Sequence, residues 1–297
     1  MALIFFFVDG LGLGNETVDN PVFSNPLPAF TQLSGGQILS NKIDRIRSDD
    51  ITVSTIDARL TVEGLPQSGT GQVSMFTGQN ASKLIGKHFG PYPHSKTKVL
   101  LEEKSIFKRI KENSGSSYFM NAFPEIFFDH AKKRNRWSTT TLMTKLAGYQ
   151  INGEEQVRNG EALTAEIFQD VWRTRLNIDL PKISPEIAAE RVINKAKTHD
   201  LVLIEYYLTD KAGHVQDYKQ AISVLERLDS FLMALIASIS NDHTLLLTSD
   251  HGNIEDLSTK THTMNDVPLL VKGKNAGAFS EVRSLVDVTP AIMDYLS

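Results

Sequence analysis

Apolar residues along this chain gather into short unbroken runs, and each run ends at a turn signal or an acidic residue. Residues 3–8 precede Asp9-Gly10, 201–207 precede Thr209-Asp210, 244–248 precede Asp250, and 267–271 precede Lys272-Gly273. Runs of this length, rich in Val, Ile, Leu and Phe, are those of strands buried on both faces. Helical spacing lies between them. Ser184-Pro185-Glu186 offers a cap followed by Pro at the first helical position, and Ala189, Val192, Ile193 and Ala196 continue on one face. From Tyr218 onward, Ala221, Val224, Leu225, Leu228, Leu232 and Leu235 form one apolar stripe. Strand alternating with helix predicts a layered α/β fold with a mainly parallel sheet.

The middle of the chain is patterned differently. It is richer in Lys, Arg, Asn, Thr and aromatic residues, and its periodicity is weak. Residues 105–112 and 161–172 read as helices and 118–122 as a core strand. The expected organisation is a catalytic core of residues 1–85 plus 184–297. Residues 86–183 form an insertion, partly core and partly a small cap over one end of the sheet. No internal repeat or low-complexity tract interrupts it.

Composition narrows the class. The chain has 297 residues, 41% hydrophobic and 22% charged, which suits a globular protein with a sizeable core. A net charge of -4 without a long basic run argues against nucleic acid as a partner. The absence of cysteine excludes disulfide scaffolds, thiolate-held zinc and cysteine nucleophiles. The apolar opening, residues 1–8, lacks a basic n-region and a cleavage site and runs straight into Asp9-Gly10, so it reads as a strand rather than a signal peptide. No stretch approaches the roughly 20 apolar residues of a membrane span. The expectation is a cytoplasmic protein with no membrane partner.

The chemistry-bearing residues fall at the strand ends. Asp9, Asp210 and Asp250 each follow a run, at the sheet edge where open α/β folds bind ligands. His214, His251 and His262 accompany them. Each alone reads as a turn former or a structural histidine. Together, three buried carboxylates without counterions would repel one another, and a cation relieves that. Mixed Asp and His ligation without thiolate suits Zn, Mn or Fe, and Mg less well. The segment 64–78 adds Ser68 and Thr70 between glycines ahead of a run able to open a helix, a turn that offers N–H groups and a hydroxyl to an anion. It is not a P-loop, because the Gly-Lys-Ser/Thr ending is absent.

The ordered set Val8-Asp9-Gly10, Ser68 with Gly78 ten positions on, Asp210-x-x-Gly-His214, Ser249-Asp250-His251-Gly252-Asn253 and Thr261-His262-Thr263 resembles the alkaline phosphatase superfamily. Asn20-Pro21 and the closing Asp287-Val-Thr-Pro290 resemble its metalloenzyme branch, which holds cofactor-independent phosphoglycerate mutase and phosphopentomutase. The likeness covers roughly residues 1–80 and 198–297. It implies a three-layer alkaline-phosphatase-like core and two divalent metal ions, Zn or Mn. One ion would be held by Asp9, Ser68, Asp250 and His251, the other by Asp210, His214 and His262. It also implies a nucleophile at Ser68, with Thr70 as rival, and a small phosphorylated substrate. Lys87, His88 and Arg134 in the insertion are the expected substrate contacts. An insertion of this size is small beside the caps of the mutases. The expectation is therefore hydrolysis of a phosphate mono- or diester, with a phosphomutase as the alternative and a non-catalytic metal-binding homologue ranked below both.

Overall fold

The computed structural model describes all 297 residues. The apolar runs become strands of a single seven-stranded sheet. These are β1 (Ala2–Val8), β2 (Ile46–Arg47), β3 (Ile51–Ile56), β4 (Ser117–Phe119), β5 (Leu201–Tyr206), β6 (His243–Thr248) and β7 (Val267–Gly273). Their order is β2-β3-β7-β6-β1-β5-β4, with β1 in the middle. β1 is buried at all seven positions, because helices cover both faces of the sheet. Leu3, Phe5 and Phe7 enter one core with the helices Ser68–Thr77 and Leu285–Leu296. Ile4, Phe6 and Val8 enter the other with the helices Pro185–Ala196 and Tyr218–Ser238. Phe5 and Phe7 both meet Phe76 (ring centroids 5.8 and 5.6 Å), and Phe6 meets Phe231 at 5.7 Å. Burying each ring contributes about 1.5–3 kcal/mol. The result is the layered α/β architecture that the periodicity predicts, in the three-layer form that the family resemblance implies.

β1 runs parallel to β5 and β6, and β4 parallel to β5. β7 is antiparallel to β6, and β3 to β7. Continuous burial makes 267–271 readable as a strand but says nothing of its direction. The β2–β3 hairpin, short and lying at the sheet edge, was not foreseen from the pattern.

Two expectations in the middle of the chain need correction. The strand expected over 118–122 stops at Phe119. Beyond it the Asn121 side chain replaces the ladder, donating to the Glu205 carbonyl (2.7 Å) and accepting from the Glu205 N–H (2.8 Å). The helix expected over 161–172 is absent; only Asp170–Thr174 is helical. Leu163 bridges to Asn121, and Ile167 and Gln169 take positive φ, a conformation that breaks a helix. Buried Arg191 pins this segment by donating to the Ala162 carbonyl and to Gln169 Oε1 (2.9 and 2.7 Å).

Within residues 86–183, Leu101, Phe107, Ile110 and Met143 join the core that holds Phe5. The helix Glu125–Arg134 instead fully buries only Ala131, half-buries Phe127 and Phe128 against that core, and leaves its polar face at the surface.

Candidate active site

Strand register assembles the site. Val8 pairs with Tyr206 and Phe7 with Thr248, so the chain leaves β1, β5 and β6 at a common edge. Asp9, Asp210 and Asp250 follow there. Asp210 and His214 share the helix Leu208–Val215, whose i,i+4 spacing puts them on one face. Ser68 is the first residue of the helix Ser68–Thr77, which is buried at every position. His262 arrives on the segment ahead of β7, held by a bridge between Thr263 and Gly252.

Six of the expected metal ligands lie in one connected group with Ser68. Ser68 Oγ is 2.9 Å from His251 Nε2, which is 3.3 Å from Asp9 Oδ1 and 3.6 Å from Asp250 Oδ2. His262 Nε2 is 3.4 Å from Asp210 Oδ1 and 3.2 Å from His214 Nε2; His214 Nε2 is 3.5 Å from Asp210 Oδ2. The rings of His251 and His262 stack at 3.8 Å, which joins the two halves. Two triads, Asp9-Asp250-His251 and Asp210-His251-His262, keep their potential ligand atoms within 4.8 Å of one another. Thr70 sits apart. Its hydroxyl donates to the Gln67 carbonyl (3.3 Å) and accepts from the Phe89 N–H (3.1 Å).

These donors fit divalent cations. The three imidazoles each turn Nδ1 to a backbone carbonyl: His251 to Gly252, His262 to Pro66 and His214 to Lys260 (3.3, 2.7 and 2.7 Å). That leaves every Nε2 facing the carboxylates, the arrangement by which outer-shell bonds orient metal-binding histidines. Asp9 Oδ1 is buried without a hydrogen-bond partner. The close ion-pair partners of Asp9, Asp210 and Asp250 are histidines alone, and no Lys or Arg makes direct contact with them.

The electrostatics carry the same signature. Burial, then the charges of Asp250 and Asp210, push the Asp9 carboxyl well above the carboxylate range. Burial also opposes ionisation of Asp210, but the hydrogen bond from His262 and the charge of His251 overcome it and hold that carboxyl below its ordinary value. Burial depresses His251, while Asp210 and the Pro66 carbonyl raise His262 against its burial.

Several residues at the site are given no role by the sequence reading. Gln72, one turn along the Ser68 helix, donates to Asp9 Oδ2 and Asp250 Oδ2 (3.2 and 3.0 Å). Asn253 donates to Asp210 Oδ1 at 2.7 Å. Glu205, buried inside β5, accepts from Thr140 at 2.6 Å, and burial raises its carboxyl to about 7. Glu255, 1% exposed, accepts from the N–H groups of Gly12 and Asn253 (2.9 and 2.7 Å), the Thr263 hydroxyl and the Asn265 amide. Of these, Asn253 alone was visible beforehand, as the last residue of a motif.

A cavity of about 520 Å³ opens onto the group, with Asp9, Ser68, Gln72, Glu205 and Asp210 on its floor. Arg134 lines it, together with Arg136 and His130. Lys87 and His88 do not. Lys87 is exposed, and His88 donates to the Val62 carbonyl and meets the Ser82 hydroxyl, both at 3.2 Å.

Comparison with known proteins gives this geometry a family context. The profile of the Metalloenzyme superfamily matches residues 1–297. A 2,3-bisphosphoglycerate-independent phosphoglycerate mutase of Yersinia pestis (strain Pestoides F) is 26% identical over 195 residues, 59% of this chain and 36% of that protein. The enzyme of the same name from Desulforudis audaxviator (strain MP104C) is 28% identical over 199 residues, 61% of this chain and 37% of its own. The match thus spans little more than a third of these curated relatives. Among solved structures, the alkaline phosphatase from the Antarctic bacterium TAB5 superposes with a TM-score of 0.60 at 13% identity, over 99% of this chain and 97% of that one. The likeness establishes an alkaline-phosphatase-like fold.

Proposed function

The chain belongs to the metalloenzyme superfamily, and from that premise we propose that it is a two-metal phosphoryl-transfer enzyme that hydrolyses a small phosphate ester through Ser68. The observation that carries this reading is the orientation of the three histidines. Each is anchored through Nδ1 and turns Nε2 toward the group of three carboxylates, beside a single serine hydroxyl on the floor of a cavity. Asp9, Ser68, Asp250 and His251 would hold one ion, and Asp210, His214 and His262 the other. Zn or Mn suits this mixed set better than Mg. Such ions would supply Lewis acidity, lowering the pKa of a coordinated hydroxyl and neutralising charge on the transferred group.

The protein's own part is positioning. Ser68 stands at a helix N-terminus, where free N–H groups and the helix dipole favour an anion. Gln72 ties Asp9 to Asp250 and fixes the spacing of the carboxylates. Ser68 Oγ bonds to phosphorus as it loses its proton, the ester P–O bond breaks, and the alcohol leaves protonated. Water then attacks the phosphoserine, releasing phosphate and restoring the hydroxyl. Ser68 is favoured over Thr70 because the Thr70 hydroxyl is engaged with backbone away from the carboxylates.

Water as the acceptor is supported by the make-up of residues 86–183. We read them as an insertion largely absorbed into the core, whose cap over the cavity is chiefly the helix Glu125–Arg134. A mutase must enclose its dephosphorylated intermediate and exclude water. Arg134 is the insertion residue named from sequence that this reading keeps as a substrate contact.

The test is release of phosphate from phosphomonoesters and phosphosugars, and of the leaving alcohol from phosphodiesters, by Mn- or Zn-loaded protein, beside Ser68→Ala. Release lowered at least about 1000-fold in the variant is expected for loss of a nucleophile. Isomerised phosphosugar without free phosphate would make the enzyme a mutase. Full activity in Ser68→Ala would remove the covalent step.

A further inference from the structure

The cavity has two unlike sides. Its floor is the acidic group around Ser68; the rest of its lining carries an aromatic patch of Tyr92, Phe123 and Phe127 with Pro91 and Pro124, beside the polar His130, Ser138, Tyr207 and Lys211. Phe123 and Phe127 stack with centroids 4.2 Å apart and planes 27° from parallel. Phe127 also meets the buried Trp137 edge-on at 6.1 Å, so its ring is held from behind. Tyr92 is 41% exposed, although it lines the cavity, and the Arg136 guanidinium lies 5.9 Å from its ring centroid. Arg134 and Arg136 stand exposed at the same rim.

We propose that this aromatic patch selects phosphate esters whose alcohol part is a planar ring, an aryl or nucleoside phosphate, over esters of small polyhydroxy alcohols. The proposal rests on the phosphoryl-transfer reading and names the substrate class for the same site. A polyhydroxy alcohol must give up water from each hydroxyl on entering, and aromatic and proline carbons return no hydrogen bonds for it. A planar ring loses little there and gains offset or edge contacts with Tyr92 and Phe127. Arg136, already placed over one ring, can cover a second by the same cation–π attraction. The volume also fits: about 520 Å³ lies within the range of pockets that enclose a ligand of several dozen atoms and exceeds what a three-carbon phosphate fills.

Phosphonates test this without turnover, because their P–C bond cannot be hydrolysed and leaving-group reactivity does not enter. Phenylphosphonate and methylphosphonate are titrated calorimetrically into the metal-loaded full chain, and into Tyr92→Ala and Phe127→Ala. The wild type is expected to bind phenylphosphonate roughly tenfold more tightly or better. That ratio should fall toward one in both variants. Tyr92→Ala, at an exposed position, keeps the test readable should Phe127→Ala fold poorly. Equal affinity for the two phosphonates, binding of neither, or an unchanged ratio in Tyr92→Ala overturns the proposal. Loss of the underlying reading would show separately, as absent phosphate release or as release indifferent to Ser68→Ala.

Discussion

Glu255 illustrates how one buried side chain sets the position of several others. It accepts hydrogen bonds from Gly12 behind Asp9, from Asn253 behind His251, and from Thr263 and Asn265 beside His262. Three separate segments carrying proposed ligands are thus tied to one carboxylate. Two glycines follow from its presence, since a Cβ on Gly12 would lie 2.2 Å and one on Gly252 2.1 Å from Glu255 Oε1. Glu255→Gln keeps the shape but turns an N–H₂ group toward donors, leaving buried N–H or O–H groups unpaired. Each such loss costs about 1–3 kcal/mol. The expected outcome is a lower denaturation midpoint together with weaker Mn²⁺ binding, read by urea unfolding and by metal titration. Normal metal affinity in a destabilised variant would limit Glu255 to a folding role. No motif marks this residue in the sequence. It sits two positions past a recognisable cluster, and its partners, two backbone N–H groups and the side chains of Thr263 and Asn265, come together only in the fold.

Strand β5 shows what an apolar run conceals. Residues 201–207 read as a buried strand, and β5 is buried at all six positions, Glu205 among them. That position is buried apart from its edge on the cavity floor, so the carboxyl is raised from 4.5 to about 7, against the hydrogen bond from Thr140 and with the charge of Asp250 adding to burial. A carboxyl raised on folding holds its proton more tightly in the native state, so its contribution is full below pH 4.5 and is lost as pH climbs through about 7. Glu205→Gln removes that loss. In chelator-treated protein, Glu205→Gln should exceed wild type in stability by on the order of 3 kcal/mol at pH 8 and match it near pH 4.5. Urea unfolding at the two pH values decides it, and parallel pH dependence in the two proteins would show that folding does not raise the Glu205 carboxyl. The elements that the sequence did reveal share one trait, a strong local period. The runs of β1, β5, β6 and β7 and the Tyr218 stripe needed no partner to be read. Residues 161–169 hold their shape through distant anchors, Asn121 and Arg191, and no local rule reports those. Direction and edge pairing of β3 and β7 depend in the same way on long-range order.

At the scale of the molecule, five chain segments converge on one site, and three of them bring like charges together at the sheet edge. Asp9, Asp210 and Asp250 were each identifiable as a residue after an apolar run, because strand ends in such folds share an edge. Which histidine nitrogen faces inward, and that Gln72 and Glu205 join them, are set by contacts between distant segments that no local pattern carries. The convergence has a cost in stability that bound metal should reverse. A ligand that binds only the folded state stabilises it by about 2.7 kcal/mol at 100 times its Kd, so two ions contribute about 5 kcal/mol. For a chain of this size the melting point should rise by roughly 10 °C or more on saturating Mn²⁺ or Zn²⁺ after chelation. His262, raised toward its protonated form, must release a proton to serve as a ligand, so the rise should shrink as pH falls. Asp9→Asn separates metal linkage from mere electrostatic relief. It removes a carboxylate whose ionisation is opposed by burial and by Asp250 and Asp210, so the metal-free variant should melt above the metal-free wild type. The same change deletes a proposed ligand, so added metal should raise its melting point far less. Both signs are needed. A variant stabilised by metal as strongly as wild type would remove Asp9 from the ligand set, and one destabilised without metal would mean that the Gln72 contact outweighs the repulsion.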